Sequence, residues 1–154
     1  MDFLFSADIR SYKDMRNEQL REAFVTATLF TEGKINLTYT DVDRGVIAGI
    51  MPIGQGVLLP THKELAADYF CQRREAGVIN VGGNGNITVD GETFSMSKKD
   101  SLYIAKESKN VEFFSDDAEN PAKFYLVSYP AHRVTKTVHV PKSQAQIVEL
   151  GSQQ

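Results

Sequence analysis

The stretch that decides the fold runs from Arg73 to Ile104 and reads RREAGVINVGGNGNITVDGETFSMSKKDSLYI. Two short apolar segments meet at the glycine-rich sequence 82–85, and a third turns back at Asp90-Gly91. An Asp-Gly pair favours a two-residue hairpin turn because both residues tolerate positive φ. A Lys-Lys-Asp turn then leads into a fourth segment. This pattern predicts short antiparallel strands of a mainly β protein, a small β-barrel or jelly roll.

Similar segments continue on both sides of this stretch and are separated by turn residues. Many short strands at a spacing of about 8–12 residues are typical of a sandwich or barrel. The two glycines inside the apolar run 45–51 indicate a bend or a close backbone approach. We predict strands at 24–30, 35–39, 45–51, 69–72, 77–81, 86–89, 92–96, 101–104, 111–115 and 123–128, with one edge strand within 134–140.

Two helices are predicted outside the strands. The first covers residues 8–24, where the apolar residues form a rough stripe of the kind that an amphipathic helix buries. The second covers about 62–67, because Thr61-His-Lys-Glu64 matches a capping box at a helix start. The fold prediction is therefore an antiparallel β-barrel or jelly roll with an amino-terminal helix.

Length and composition limit the classes of function. With 154 residues, the chain is expected to form one domain. Its net charge is −3 and its basic residues are scattered, which argues against nucleic acid as a partner. No apolar run reaches the roughly 18 residues of a membrane span. The single cysteine, Cys71, is expected in the core and fits a reducing compartment, so we predict a cytoplasmic protein.

The most chemically suggestive residues are Arg73, Arg74 and Glu75 at the start of a predicted strand. Strand alternation would place Arg73 and Glu75 on one face and Arg74 on the other. A guanidinium pointing inward could hold a substrate carboxylate in a bidentate pair. The alternative, which we favour, is an ion pair at the rim of the barrel or at a subunit interface. The Asp41-Val-Asp43-Arg44 segment is likewise interpreted as a charged strand end with an ion pair.

No metal site is predicted from this chain. Its three histidines, His62, His132 and His139, lie far apart in the sequence and form no ligand pattern. The glycine-rich segment 82–85 is not followed by Lys-Ser/Thr or by a helical pattern, so it is interpreted as a bent strand or turn and not as a nucleotide loop. No catalytic residue can be assigned from spacing.

Four longer motifs stand out in the sequence. They are DRGVIAGIMP (43–52), YFCQRREAGVINVGG (69–83), ITVDG (87–91) and PAKFY (121–125), the last followed by Pro130-Ala131-His132. Together they resemble the 5-keto-4-deoxyuronate isomerase family, the 4-deoxy-L-threo-5-hexosulose-uronate ketol-isomerases. The resemblance covers roughly residues 14–150 and is limited to the amino-terminal cupin half of that family.

The resemblance implies a cupin-like fold and a role in the catabolism of pectin-derived uronates. Family members convert 4-deoxy-5-ketouronate to 2,5-diketo-3-deoxygluconate with a zinc ion held by three His and one Glu of a second cupin half. The implied organisation is an amino-terminal arm with a helix (1–24), a metal-free cupin barrel (25–141) and the start of an interdomain linker (142–154). By itself this half would bind no zinc and would be inactive. Its implied partners are the second half, other copies in a homo-oligomer and the sugar-acid substrate.

Two alternatives remain open at the level of sequence. The chain could be a stand-alone, metal-free cupin that binds a sugar acid or mediates oligomer assembly. It could also be part of another carbohydrate isomerase from the same group of two-barrel cupins.

Overall fold

Two facing β-sheets make up most of the computed structural model, which describes residues 1–146, 148, 150 and 151. The seven-stranded sheet contains, in spatial order, β1 (Asp2–Leu4), β2 (Lys34–Thr40), β3 (Val46–Met51), β10 (Phe124–Pro130), β5 (Arg74–Asn80), β8 (Ser101–Ile104) and β11 (Val138–Val140). The four-stranded sheet contains β4 (Val57–Leu58), β9 (Val111–Ser115), β6 (Gly85–Val89) and β7 (Glu92–Met96). The predicted mainly β jelly-roll class is confirmed, in the form of two separate sheets.

The core lies between these sheets. Along β5, buried residues alternate with half-buried ones, so that Arg74, Ala76, Val78 and Asn80 face the interior. Phe113 and Phe124 meet across the sandwich with ring centroids 5.4 Å apart, and both are fully buried. Tilted aromatic pairs of this kind add about 0.5–1.5 kcal/mol beyond the area that they bury. The period-2 pattern thus positions one face of β5 in the core.

A buried amide fixes the glycine-rich bend between β5 and β6. Asn80 is 0% exposed, and its Nδ2 donates to the carbonyls of Gly83 (2.7 Å) and Met96 (2.8 Å). Its Oδ1 accepts from the backbone amides of Gly82 (3.1 Å) and Lys123 (3.2 Å). Both ends of the side chain are therefore satisfied, as a buried polar group requires. The predicted turn at 82–85 forms, with Asn80 as its internal anchor.

The predicted strand over 24–30 is wrong. Residues 25–30 have no assigned strand and cross the outer face of β3 at Gly49, where a Cβ would collide with the Leu29 carbonyl. The side chain of Asn36 ties this segment down by donating to Leu29 O (3.1 Å) and Thr31 Oγ1 (2.8 Å). The close approach predicted for this run of β3 therefore exists, and an amide side chain replaces strand pairing.

The amino-terminal helix is shorter than predicted. α1 spans Asn17–Phe24, preceded by a 3-10 turn at Tyr12–Asp14. The Asp8 carboxylate accepts from the backbone amide of Arg10 (2.8 Å) and from the Ser11 hydroxyl (2.6 Å), which holds a local turn where the helix was expected to begin. Asp side chains commonly compete with helix in this way.

The second predicted helix is reduced to one 3-10 turn, Lys63–Leu65. The capping box does not form, because the Thr61 hydroxyl donates to the Ala67 carbonyl (3.1 Å). The predicted strand at 69–72 is also wrong, since Phe70–Gln72 form another 3-10 turn. Two further 3-10 turns lie at Val42–Arg44 and Lys142–Gln144.

The predicted edge strand is confirmed over the three residues of β11, which pairs with β8. The Asp100 carboxylate accepts from the Lys142 amide (2.7 Å) just beyond it. At the other end of the chain, β1 pairs in parallel with β2. The three proposed domain boundaries stay predictions, and residues 147, 149 and 152–154 of the predicted linker lie outside the described residues. Across the described part of the chain, no helix has the length and hydropathy needed to cross a bilayer.

Candidate functional site

A cavity of about 210 Å³ opens at one end of the sandwich and brings three arginines together. Its walls come from β2, from the turns around Arg44 and Leu65, from the start of β5 and from the end of β10. The side chains that matter chemically are Tyr39, Arg44, Glu64, Phe70, Arg73 and Arg74. Two of the three residues singled out in the sequence, Arg73 and Arg74, therefore lie in one concave site.

Arg74 is the buried member of the arginine set, with 7% exposure. Its Nε donates to Ser128 Oγ (2.8 Å), and its Nη2 donates to the carbonyls of Ser128 (3.1 Å) and Arg44 (2.9 Å). The guanidinium carbon lies 5.6 Å from the centre of the Phe70 ring, within cation–π range. Burial lowers the pKa of Arg74, and the like charge of Arg44 lowers it further. The partners of this cation are neutral, so it brings net positive charge to the cavity.

Arg44 reaches the cavity through a strained turn. Asp43 (φ 51°) and Arg44 (φ 54°) are consecutive non-glycine residues in the left-handed region, which few non-glycine residues occupy. The turn is held by Asp41, whose carboxylate accepts from the Ser6 amide (2.9 Å) and hydroxyl (3.0 Å). The pKa of Asp41 is lowered mainly by the hydrogen bond from the Ser6 amide. The predicted ion pair at this strand end is replaced by those hydrogen bonds.

Arg73 and Glu75 do not share a face. Arg73 precedes the strand, with φ −126° and ψ 9°, so alternation begins only at Arg74. Glu75 lies on the outer face, where it accepts from the Tyr103 hydroxyl (2.8 Å). The pKa of Tyr103 is raised, first by burial and then by its hydrogen bond with Glu75. Glu75 is therefore separated from the cavity, and the predicted pairing of Arg73 with Glu75 on one face is wrong.

The cavity arginines have no carboxylate partner within the described residues. Those residues form one ion pair, Lys106–Glu107, and one 3.8 Å contact between His139 and Asp100 that is ionic only when the imidazole is protonated. Glu64 lines the cavity but makes no ion pair with an arginine there. The acidic partner expected for Arg73 or Arg74 is thus not supplied by the same chain within its described part, whereas a subunit-interface or ligand carboxylate stays a prediction.

The metal-ligating residue types are dispersed in the part of the chain that the structure describes. No group of three or more His, Cys, Asp or Glu side chains there could hold a metal ion. His139 lies in β11 with its Nε2 3.8 Å from Asp100 Oδ2. Cys71 is 0% exposed, and burial raises the pKa of its thiol to about 12, so the predicted core position is confirmed.

The outer face of the seven-stranded sheet is a second surface without an evident structural role. Two apolar grooves of about 310 and 290 Å³ lie on it and share Tyr125 and Val127. Gly77 and Val140 line the first groove, and the half-exposed Tyr129 lines the second. A sheet face of this composition is more typical of a packing surface than of solvent-exposed β-structure.

Sequence reasoning missed Arg44 and Ser128 as members of this site. Ser128 is 1% exposed, and its hydroxyl donates to the Glu75 carbonyl at 2.5 Å while accepting from Arg74. The partners are 54 residues apart in sequence for Arg74 and Ser128, and 30 residues apart for Arg74 and Arg44. The only local signal was a serine at an inward-facing position of a strand, where its partner on β5 is Ala76.

Comparisons with known proteins connect the chain to one group of enzymes. It is 40% identical over 152 residues to the 4-deoxy-L-threo-5-hexosulose-uronate ketol-isomerase of Caldicellulosiruptor bescii, covering 99% of this chain and 55% of that protein. The corresponding protein of Shouchella clausii is 41% identical over 152 residues with the same coverage. Ketol-isomerase 1 of Enterococcus faecalis is 43% identical over 145 residues, covering 94% of this chain and 51% of that protein.

The resemblance predicted from the motifs is therefore confirmed, and the chain spans about half the length of the curated relatives that it matches. No family model matches the chain. Sequence similarity of this extent supports homology to these isomerases over the segment that the chain spans.

Solved structures with low sequence identity support the fold. A cupin_2 domain of an XRE-family transcriptional regulator from Enterobacter cloacae superposes with a TM-score of 0.50 at 11% identity, covering 64% of this chain and 97% of that one. Protein Ylba from E. coli superposes with a TM-score of 0.53 at 16% identity, covering 73% of this chain and 46% of that one. The predicted cupin-like jelly roll is thus confirmed, and these likenesses carry no further functional argument.

Proposed function

We propose that the chain is the amino-terminal, metal-free cupin half of a 4-deoxy-L-threo-5-hexosulose-uronate ketol-isomerase. The observation that carries the proposal is about 40% identity along nearly all of this chain against about half of each relative. In the intact protein the reaction is the conversion of 4-deoxy-5-ketouronate to 2,5-diketo-3-deoxygluconate, a step in the breakdown of pectin-derived uronates. We further propose a cytoplasmic location, which the reduced, buried Cys71 supports.

The zinc of the proposed enzyme does not fit this half. A zinc site needs several nitrogen, sulfur or carboxylate ligands converging within about 2.0–2.3 Å of the ion, and the described residues bring no three such side chains together. We therefore assign the zinc and the residues that move the proton to the remaining half. This half contributes a folded scaffold, assembly contacts and a cavity lined by positively charged arginines.

The outer face of the seven-stranded sheet supports the proposed partners. Burying its tyrosine, valine and isoleucine side chains against the second half, or against another copy in a homo-oligomer, would remove apolar area from water at roughly 25 cal/mol per Å². Val140 ends β11 and lines one of the grooves, so the chain leaves the sheet beside this face.

The isolated chain provides the first test. We expect no turnover of 4-deoxy-5-ketouronate and less than about 0.1 zinc per chain by elemental analysis after purification with zinc present, because the ligand set is missing. The intact Caldicellulosiruptor bescii relative, assayed in parallel, is the positive control. Turnover by the isolated chain, or one tightly bound zinc per chain, would contradict the proposal.

The arginine-lined cavity favours one second candidate, a stand-alone cupin that binds a sugar acid without catalysis. Such a protein would also be metal-free and inactive by itself, so the first test does not separate the two. They differ in whether the chain can complete a relative's catalytic half.

A further inference from the structure

We propose that the cavity between Arg44, Arg73 and Arg74 is a binding site for a small carboxylate of the size and polarity of a uronic acid. This site goes beyond the proposed isomerase half, to which no catalytic role is assigned, and it deepens the second candidate function above, on which the ligand class rests. The inference stands on the geometry of this chain alone and does not require that the chain be part of an isomerase.

The first argument is uncompensated charge. Three guanidinium groups line one cavity of about 210 Å³, and within the described residues none of them forms an ion pair. Only Arg74 is buried, with 7% exposure, whereas Arg44 and Arg73 are exposed. A buried cation without a counterion is costly, and an anion bound beside it recovers part of that cost. Arg44 and Arg73 are exposed on the same cavity, and a guanidinium with a free planar fork can donate two parallel hydrogen bonds to a carboxylate.

The second argument is the direction in which Arg74 is held. Its Nε and Nη2 are occupied by Ser128 and the Arg44 carbonyl, while Nη1 has no hydrogen-bond partner among the described residues. Among the described residues, Nη1 is not one of the fully buried polar atoms that lack a partner, so it keeps some exposed surface. Because Arg74 lines the cavity, this surface is available to a ligand there. The Phe70 ring supports the guanidinium at 5.6 Å. The group is thus positioned before any ligand arrives, with one nitrogen, Nη1, left to donate to it.

The third argument is the strained turn that supplies Arg44. Two consecutive non-glycine residues with positive φ, Asp43 and Arg44, are energetically unfavourable and persist only where surrounding structure holds them. Here that conformation directs the Arg44 carbonyl to Arg74 and places the Arg44 side chain on the cavity wall. Backbone strain of this kind is concentrated at ligand sites, which agrees with a binding role for the cavity.

The shape and charge of the site select the ligand class. The volume is below the roughly 300–1,000 Å³ typical of pockets for drug-sized ligands, which limits the occupant to a small molecule. Glu64 lines the same cavity, and its carboxylate would repel a dianion such as phosphate more strongly than a monoanion, while it can accept hydrogen bonds from hydroxyl groups. A single carboxylate joined to a polyhydroxylated body satisfies both requirements.

The test is calorimetric titration of the isolated chain with three probes. We expect saturable binding of D-galacturonate, no measurable binding of D-galactose, which lacks the carboxylate, and weaker binding of inorganic phosphate. Binding should weaken as salt is raised, because the contacts are ionic. Removing one arginine from a charge-assisted pair should raise Kd about 10- to 100-fold, in both Arg73→Ala and Arg44→Gly.

Arg10→Ala is the matched control, since Arg10 is exposed and is not among the residues lining the cavity; it should leave Kd unchanged. Arg44→Gly suits the left-handed backbone, so loss of binding there with unchanged melting temperature cannot come from unfolding. Equal binding of galactose and galacturonate, tighter binding of phosphate, no binding of any probe, or equal affinities in wild type and both cavity variants would overturn the proposal. Each of these outcomes is independent of isomerase activity.

Discussion

Arg74 should be a major stabilising residue of the sandwich, although it is charged and lines a cavity. Its guanidinium joins β5 to β10 through Ser128 and to the turn before β3 through the Arg44 carbonyl. Arg74→Ala removes three hydrogen bonds, each worth about 1–1.5 kcal/mol net, and a cation–π contact worth about 0.5–1 kcal/mol. Relief of the desolvation cost of the buried cation offsets part of this loss. We expect a net decrease of about 2–4 kcal/mol in the free energy of unfolding.

Urea unfolding followed by circular dichroism measures this change directly, and the melting temperature should fall by about 5–15 °C for a protein of this size. Arg73→Ala is the matched control, because it makes the same chemical change at an exposed position; its effect should stay below about 0.5 kcal/mol. Equal effects of the two substitutions, or a change below about 0.5 kcal/mol for Arg74→Ala, would refute the assignment of Arg74 as an interstrand connection.

Three further predictions concern the core. Burial raises the pKa of the Cys71 thiol to about 12, against an ordinary value of 9.0, so between pH 9 and 12 the folded state binds more protons than the unfolded state. The stability of the wild type relative to Cys71→Ala should therefore fall with rising pH, by up to about 1.4 kcal/mol per pH unit. Urea titrations that give parallel stability curves for the two proteins would contradict this. Gly49→Ala should destabilise the protein by about 1–3 kcal/mol, because the added Cβ would collide with the Leu29 carbonyl. Gly77→Ala is the control, since the atom nearest to its Cβ lies 3.9 Å away, and it should change the melting temperature little. An unchanged stability of Gly49→Ala would show that residues 25–30 do not pack closely against β3. Asn80→Ala should cost about 2–4 kcal/mol, since four hydrogen bonds are lost, two of them to Gly82 and Gly83 of the bend. The backbone amide of Gly82 should then exchange its hydrogen faster, and unchanged exchange there would argue against Asn80 as the anchor of that bend.

The strands were predictable where their signals are local. The turn at Asp90-Gly91 and the alternation along β6, β7 and β8 are encoded by neighbouring residues, and the structure follows them closely. The predicted strand at 24–30 failed because this segment crosses β3 at Gly49 without pairing, a contact between segments about 20 residues apart. Local propensity does not reveal this outcome, because strand formation depends on the neighbours that a segment meets in the fold.

The candidate site was predictable only in part, for the same reason. Arg73 and Arg74 were recognisable as two adjacent cations at the edge of an apolar strand. The face that each occupies depends on where the strand begins, and a one-residue shift reverses the assignment. The residues that complete the site come from distant turns and strands, and their convergence is a property of the topology and not of any local spacing.

The measurement that tests the central claim most directly is isomerase turnover by a rejoined protein. The segment of the Caldicellulosiruptor bescii relative that aligns with this chain is replaced by this chain, and the hybrid is assayed with 4-deoxy-5-ketouronate beside the unaltered relative and this chain alone. If the chain is the metal-free half of such an enzyme, the hybrid should bind about one zinc per chain and turn over the substrate, whereas this chain alone should do neither. A hybrid that folds, assembles like the relative and binds zinc but shows no turnover would contradict the account and favour a stand-alone binding protein.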